Sequence, residues 1–149
     1  MTTMTSEDFV ARIEQAKQSN DWRPVFAMIP YFTYLGLRLE KTDGRLTCIL
    51  PEDKKFIGNP TLPALHGGVI GAFLESTALV HLFATQEVTR LPKFINITVE
   101  YLRSGKPIET YAEAVVTKPG RRVANMRIEA WQKDRDRPIA AAHANFLVS

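Results

Sequence analysis

A chain of 149 residues that is 45% hydrophobic and 23% charged can bury one sizeable core, which argues for a single globular domain and against a disordered segment. A net charge of +3 is too weak to argue for nucleic acid and suits a phosphate-bearing small molecule equally well. The lone cysteine, Cys48, excludes an intrachain disulfide and a cysteine-based metal cluster, so a reducing, cytoplasmic setting is expected.

The opening stretch, MTTMTSEDFVARIEQ, carries Glu7 and Asp8 and no apolar core, so it is not expected to act as a signal peptide. Thr5 or Ser6 can cap a first helix that runs to about Gln18, with Phe9, Ile13 and Ala16 on one face. DWRPVFAMIPYF is interrupted by Pro24 and Pro30 and is expected to hold one short helical turn. Together these make an N-terminal helical extension over about residues 5–30. A hairpin follows: Leu35, Leu37 and Leu39 alternate, Asp43-Gly44 turns, and Leu46, Cys48 and Leu50 alternate again. Residues 52–65, with Gly58, Pro60 and Pro63, read as a loop.

From Val69 to Phe83 apolar residues cover nearly the whole circumference of a helix, interrupted by Glu75, Ser76, Thr77 and His81. Such a helix is buried on most sides, and the run is too short to span a bilayer. Beyond Leu91-Pro92 the period changes to two. Ile95, Ile97, Val99 and Tyr101 alternate, as do Tyr111, Glu113, Val115 and Thr117. A turn at Pro119-Gly120 leads to Ala124, Met126, Ile128 and Ala130. After the charged turn KDRDRP, the run Ala140, Ala142, Ala144, Phe146 and Val148 completes the pattern. Two strands, a buried helix and four strands predict an α+β domain in which a curved, mostly antiparallel sheet wraps one central helix.

Chemistry concentrates in LPALHGGVIGAFLEST, residues 62–77. Between Lys55 and Glu87, Glu75 is the only formally charged residue. A buried carboxylate without a partner is costly or becomes neutral. Glu75 therefore pairs with something polar in the core, reaches solvent, or serves as a base or nucleophile in a cleft. His66, Gly67 and Gly68 stand where loop becomes helix. There unpaired amides and the positive end of the helix dipole face outward, and glycine lets a ligand oxygen approach. Such a start can form an oxyanion hole, or it can simply be a tight turn. Gly67 and Glu75 are eight positions apart, roughly 12 Å along a helix at 1.5 Å per residue. One carbonyl group cannot touch both, so catalysis here predicts two subunits with antiparallel helices and two composite sites.

The stretches NPTLPALHGGVIGAFLESTA, FINITVEYLRSGKPI, VVTKPGRRVANMRIEAW and IAAAHANFLV resemble the hotdog-fold acyl-CoA thioesterases of the phenylacetate-pathway (PaaI-like) group, over about Leu35 to Val148. The nine-residue step from His66 to Glu75 matches that group's spacing from histidine to acid. The resemblance implies a hotdog fold and hydrolysis of a fatty or aromatic acyl-CoA without metal or redox cofactor. It gives Gly67 the oxyanion amide and gives His66 the positioning of the loop or indirect polarisation of the carbonyl. Glu75 becomes nucleophile or base, and Asn59 the loop amide that orients water or thioester. Gly68, Thr77, Arg103, Arg121 and Arg122 make up the expected substrate contacts, the arginines, with Lys106, as clamps for the CoA phosphates. Three departures stand out. Glu75 occupies a position that is Asp in many relatives. Asn59 lies seven before His66, about one position further than usual. Lys93 and Phe94 stand near the place where relatives often carry a hydroxyl on the following strand, leaving Ser76 or Thr77 as substitutes.

His81 is six residues after Glu75 and faces another way, so it reads as structural or interfacial, and His143 as structural. No metal-ligand spacing is evident. The expected partners are acyl-CoA and further copies of the chain, as a homodimer or a dimer-of-dimers tetramer, with no nucleic acid and no membrane. A non-catalytic acyl-CoA-binding or sensing module is the alternative. An enoyl-thioester hydratase would need a histidine close to the acid, which the phase of Glu75 and His81 opposes.

Overall fold

Thr5 caps the first helix, α1 (Ser6–Ser19), in a reciprocal box: its hydroxyl accepts the Asp8 amide at 3.1 Å, and the Asp8 carboxylate accepts the Thr5 amide at 3.3 Å. The computed structural model describes residues 3–149. Where one helical turn was expected there are two short helices, α2 (Arg23–Ala27) and α3 (Pro30–Leu35). Each prolines lies at the start of its helix, where a missing N–H costs nothing, so Pro24 and Pro30 begin helices rather than break one. Gly36, at φ 67°, ends α3. The following strand therefore starts later than the leucine alternation suggests. Leu35 and Leu37 are buried, but they precede β1 (Arg38–Thr42).

β1 turns through Asp43 and Gly44, both at positive φ, into β2 (Arg45–Leu50), with Thr42 opposite Arg45. The predicted loop over 52–65 is more ordered than expected. It holds a 3-10 turn at Lys54–Phe56 and two short paired strands, β3 (Ile57–Asn59) and β4 (Ala64–Leu65).

The central helix, α4 (Gly67–Thr85), runs for 19 residues, two longer at each end than its apolar run. By length and composition alone it is long enough to cross a membrane, against the sequence expectation. Its apolarity is used inside the domain, where Phe73, Leu74, Ala78 and Phe83 are fully buried. Four long strands follow: β5 (Lys93–Tyr101), β6 (Thr110–Pro119), β7 (Val123–Trp131) and β8 (Ala140–Leu147). With the first hairpin they form one antiparallel sheet in the order β1-β2-β6-β7-β8-β5, as the strand count predicted.

Helix α4 packs on one face of this sheet against β2, β5, β6, β7 and β8. The sheet meets it with a small-residue face of Ala112, Ala114, Ala124, Ala130, Ala140, Ala142 and Ala144, filled in by Met126, Ile128 and Phe146, all buried. Alanines there let the helix approach closely, while Phe73 and Phe83 supply the volume. Two edges remain open, β1 and β5. On β5, Phe94 and Ile95 stay 39% and 50% exposed, which leaves an apolar edge uncovered.

Candidate active site

The start of α4 is fixed by four backbone bonds, two from the preceding loop and two within the helix itself. Leu65 donates to the Gly105 carbonyl at 2.9 Å and His66 donates to the Phe56 carbonyl at 2.8 Å. The His66 carbonyl then accepts the first intrahelical amides, from Val69 at 3.0 Å and Ile70 at 3.2 Å. His66 is itself the N-cap, in an extended conformation, and its Nδ1 accepts the Gly68 amide at 2.8 Å. Glycine is required at two neighbouring positions. A Cβ on Gly68 would lie 2.9 Å from the His66 ring, and one on Gly58 would lie 2.6 Å from the His66 Cα.

With the Gly68 amide engaged, the Gly67 amide is the one at this helix start that has no acceptor among the described residues. Beside it the Tyr101 hydroxyl donates to the Gly67 carbonyl at 2.8 Å. Gly67, Ile70, Tyr101 and Arg103 line an open cavity of about 350 Å³, together with Ala64, Leu65 and Gly105.

Glu75 lies two turns further along α4, on a partly exposed stripe with Gly68, Gly71, Ala72 and Leu79. It makes no hydrogen bond and no ion pair among the described residues, so the reading in which it pairs within the core is not met. Burial pushes its carboxyl above the usual carboxylate range. Burial also lowers the pKa of His81, whose side chain has no hydrogen-bond partner among the described residues.

Other expected site residues lie elsewhere or are engaged. The Asn59 Oδ1 accepts the Thr61 amide at 3.0 Å, the Thr61 hydroxyl at 2.7 Å and the Leu62 amide at 3.3 Å, so it organises its own loop. Thr77 is corrected from substrate contact to core. It is 2% exposed and its hydroxyl donates to the Phe73 carbonyl at 2.8 Å, because two residues along a helix carries it to the face opposite Glu75. Ser76 is likewise buried, donating to the Ala72 carbonyl at 2.7 Å.

The arginines divide. Arg103 sits at the Gly67 end, where its guanidinium donates to the Pro138 carbonyl at 2.6 Å. Arg121 and Arg122 are exposed in the turn between β6 and β7. At that end of the sheet Val123 pairs with Leu147 and Leu147 with Lys93, whereas at the other end Ala130 pairs with Ala140 and Ala140 with Tyr101. Seven strand residues separate the two ends, roughly 23 Å at about 3.3 Å each. One copy of the chain therefore does not bring Arg121 or Arg122 to its own Gly67. Tyr101 and Gly58 were missed as site residues. In the sequence Tyr101 is one more member of an alternating strand, and its contact with Gly67 and Gly71 depends on strand register.

No group of three His, Cys, Asp or Glu side chains among the described residues is placed to hold a metal ion. What the geometry offers is a free amide at a helix start, a poorly solvated acid about 12 Å along the same helix, and a cavity beside the amide.

The chain as a whole is similar to known proteins. The family model of the acyl-CoA thioesterase N-terminal domain matches residues 59–147, more than half of the chain. The medium/long-chain acyl-CoA thioesterase YigI of Salmonella typhimurium is 29% identical over 135 residues, spanning 80% of this chain and 86% of that protein. A solved structure from Chromobacterium violaceum superposes with a TM-score of 0.78 at 36% identity, covering 93% of this chain and 97% of that one. A Bacillus halodurans protein solved with CoA shares the fold, with a TM-score of 0.69 at 18% identity over 99% of this chain and 96% of that one. One long helix against a six-stranded antiparallel sheet is the hotdog arrangement of these structures, and the chain belongs to the acyl-CoA thioesterase family of thioester hydrolases.

Proposed function

We propose that the chain hydrolyses a fatty acyl-CoA, of the medium to long kind named for YigI, at sites shared between two copies. The free Gly67 amide is the observation that carries this reading. It points out of a helix start whose neighbouring amide is already held by His66, so it can stabilise the oxyanion that forms when a thioester carbonyl is attacked. Glu75 supplies the other half, as nucleophile or as the base that activates water. Its raised pKa is consistent with a carboxylate kept poorly solvated and reactive.

The two halves come from different copies. Pairing β5 with the β5 of a second copy in antiparallel fashion would cover the exposed Phe94 and Ile95. It would also set two α4 helices antiparallel, with the stripe of Gly68, Gly71, Ala72, Glu75 and Leu79 between them. Gly67 of one copy then approaches Glu75 of the other. The same two-fold brings Arg121 and Arg122 of the second copy to the Gly67 end of the first, where they could meet CoA phosphates. A dimer, alone or doubled into a tetramer, is the assembly this needs. The buried, reduced Cys48 suits a cytoplasmic setting.

Mixing two inactive variants tests the shared site. Gly67→Pro removes the amide proton at the first helical position, where proline is well accepted, after a His66 already extended at ψ 130°. Glu75→Gln removes the acid. Each alone should lose on the order of 10²–10³ in turnover on a panel of acyl-CoAs, read by thiol release. Co-expressed, half the dimers are mixed and each holds one intact site, so about a quarter of wild-type activity should return. Absence of any recovery would refute composite sites, and tight acyl-CoA binding by the wild type without thiol release would favour the sensing module.

A further inference from the structure

Tyr101 ends β5, and its hydroxyl donates to the Gly67 carbonyl at 2.8 Å across 34 residues of sequence. That carbonyl and the Gly68 amide are the two ends of one peptide group. The Gly68 amide in turn donates to His66 Nδ1 at 2.8 Å. Phenol, peptide and imidazole thus form one continuous chain of hydrogen bonds. A peptide whose oxygen accepts a bond is polarised and becomes a better donor at its nitrogen. An uncharged imidazole that accepts at Nδ1 carries its proton on Nε2. The Tyr101 ring packs beside Gly67 and Gly71, close enough that a Cβ at either would touch it at ordinary contact distance. A Cβ would lie 3.4 Å from the ring at Gly67 and 3.7 Å from the hydroxyl at Gly71.

We propose that Tyr101 is a positioning residue for the oxyanion site. By holding the Gly67 carbonyl it fixes the Gly67–Gly68 peptide and the Nε2–H form of His66, and thereby keeps the Gly67 amide aimed outward. The kinetic consequence rests on the thioesterase reading above; the effect on His66 does not.

Tyr101→Phe keeps the ring over both glycines and removes only the donor. Tyr101 is 56% exposed, so this change leaves the core untouched. Thiol release should show kcat reduced about tenfold, the size of one lost hydrogen bond, with KM within about twofold of wild type. In parallel, the ring nitrogens of His66 are followed by 15N NMR at about pH 8.5, where imidazole is uncharged. The wild type should show a single Nε2–H form, and Tyr101→Phe a mixture containing Nδ1–H. An unchanged kcat in an active enzyme, a change confined to KM, or an unchanged His66 nitrogen spectrum would each overturn the assignment. If the wild type released no thiol from any acyl-CoA, the proposed function would fall, while the nitrogen spectra would still decide whether Tyr101 holds His66.

Discussion

Gly68 donates its amide to His66 Nδ1 at 2.8 Å, and this bond decides which backbone donor is left at the head of α4. The histidine of the HGG motif is thus a helix cap before it is anything else. Its replacement separates two roles. His66→Ala loses the cap, which costs about 1 kcal/mol and lowers the melting temperature by about 2–4 °C. It should also lower turnover by about tenfold or more, since the Gly67–Gly68 peptide loses one of the two side-chain bonds that hold it. His66→Asn offers another good capping residue, so it should restore most of the melting temperature and little of the activity. Thermal scans beside thiol-release kinetics on both variants check this. Recovery of full activity in His66→Asn would show that capping is all the side chain does.

Glu75 links stability and rate to pH through one shift. Burial raises its folded-state pKa above the ordinary 4.5. Between the two values the folded chain holds a proton that the unfolded chain has released, so stability falls as pH rises through that window. The favourable contribution is fully present below about pH 4.5 and is lost above the raised value. Glu75→Gln should therefore melt higher than wild type near pH 7 and lose that advantage in acid. The acid limb of kcat/KM for the wild type should lie above 4.5, because the carboxylate form does the work. Melting curves and pH–rate profiles check both. A Glu75→Gln variant that melts lower than wild type at neutral pH would mean that an unseen partner stabilises the charge.

How far these features could be read in advance varied with their physical cause. The buried helix and the six strands were legible because hydrophobic period alone decides them: two in the alanine-rich strands, all-round in α4. The start of α1 was legible to within Thr5 or Ser6 because capping residues act locally in sequence, whereas the choice of Thr5 rests on its bonds with Asp8. Pro24 and Pro30 misled because the same residue that breaks a helix interior also opens a helix. Leu35 and Leu37 misled because buried leucines in a helix and a connector imitate a strand's alternation. The Gly67–Glu75 separation was readable from helical rise, which is arithmetic. The engagement of Asn59 within its own loop, the burial of Thr77 and the reach of Tyr101 were not, since they depend on loop geometry, helical phase and strand register. Arg121 and Arg122 show the same limit, because charge in a turn says nothing about which end of the sheet the turn occupies.

Cys48 makes a prediction that bears on the assay itself. Its thiol is 1% exposed and burial pushes its pKa up to about 12, offset in part by a hydrogen bond with Thr77. The reactive form is the thiolate, which is nearly absent at such a value and is also shielded. An aromatic disulfide reagent should find no protein thiol in the native state over minutes and one per chain in denaturant. Thiol release from acyl-CoA can then be followed without background from the protein. Rapid native labelling would mean that β2 or α4 opens far more often than the packing suggests.

The edge of β5 carries the last prediction. Ile95 is 50% exposed near the start of the open β5 edge, next to Phe94 at 39%. A monomer has no use for an apolar edge, and a lysine there is the device by which edges resist pairing. Ile95→Lys should therefore shift the assembly toward monomer in light scattering, with little change in the fold of each copy, because the side chain contributes nothing to the core described here. If Gly67 and Glu75 act across the two-fold, activity should fall with the monomer fraction, and raising the protein concentration should restore it. The diagnostic plot is specific activity against concentration, flat for the wild type and rising for Ile95→Lys. A monomeric Ile95→Lys with full specific activity would place both halves of the reaction in one copy, and the roughly 12 Å between Gly67 and Glu75 would then have to be closed by a movement of α4 rather than by a second chain.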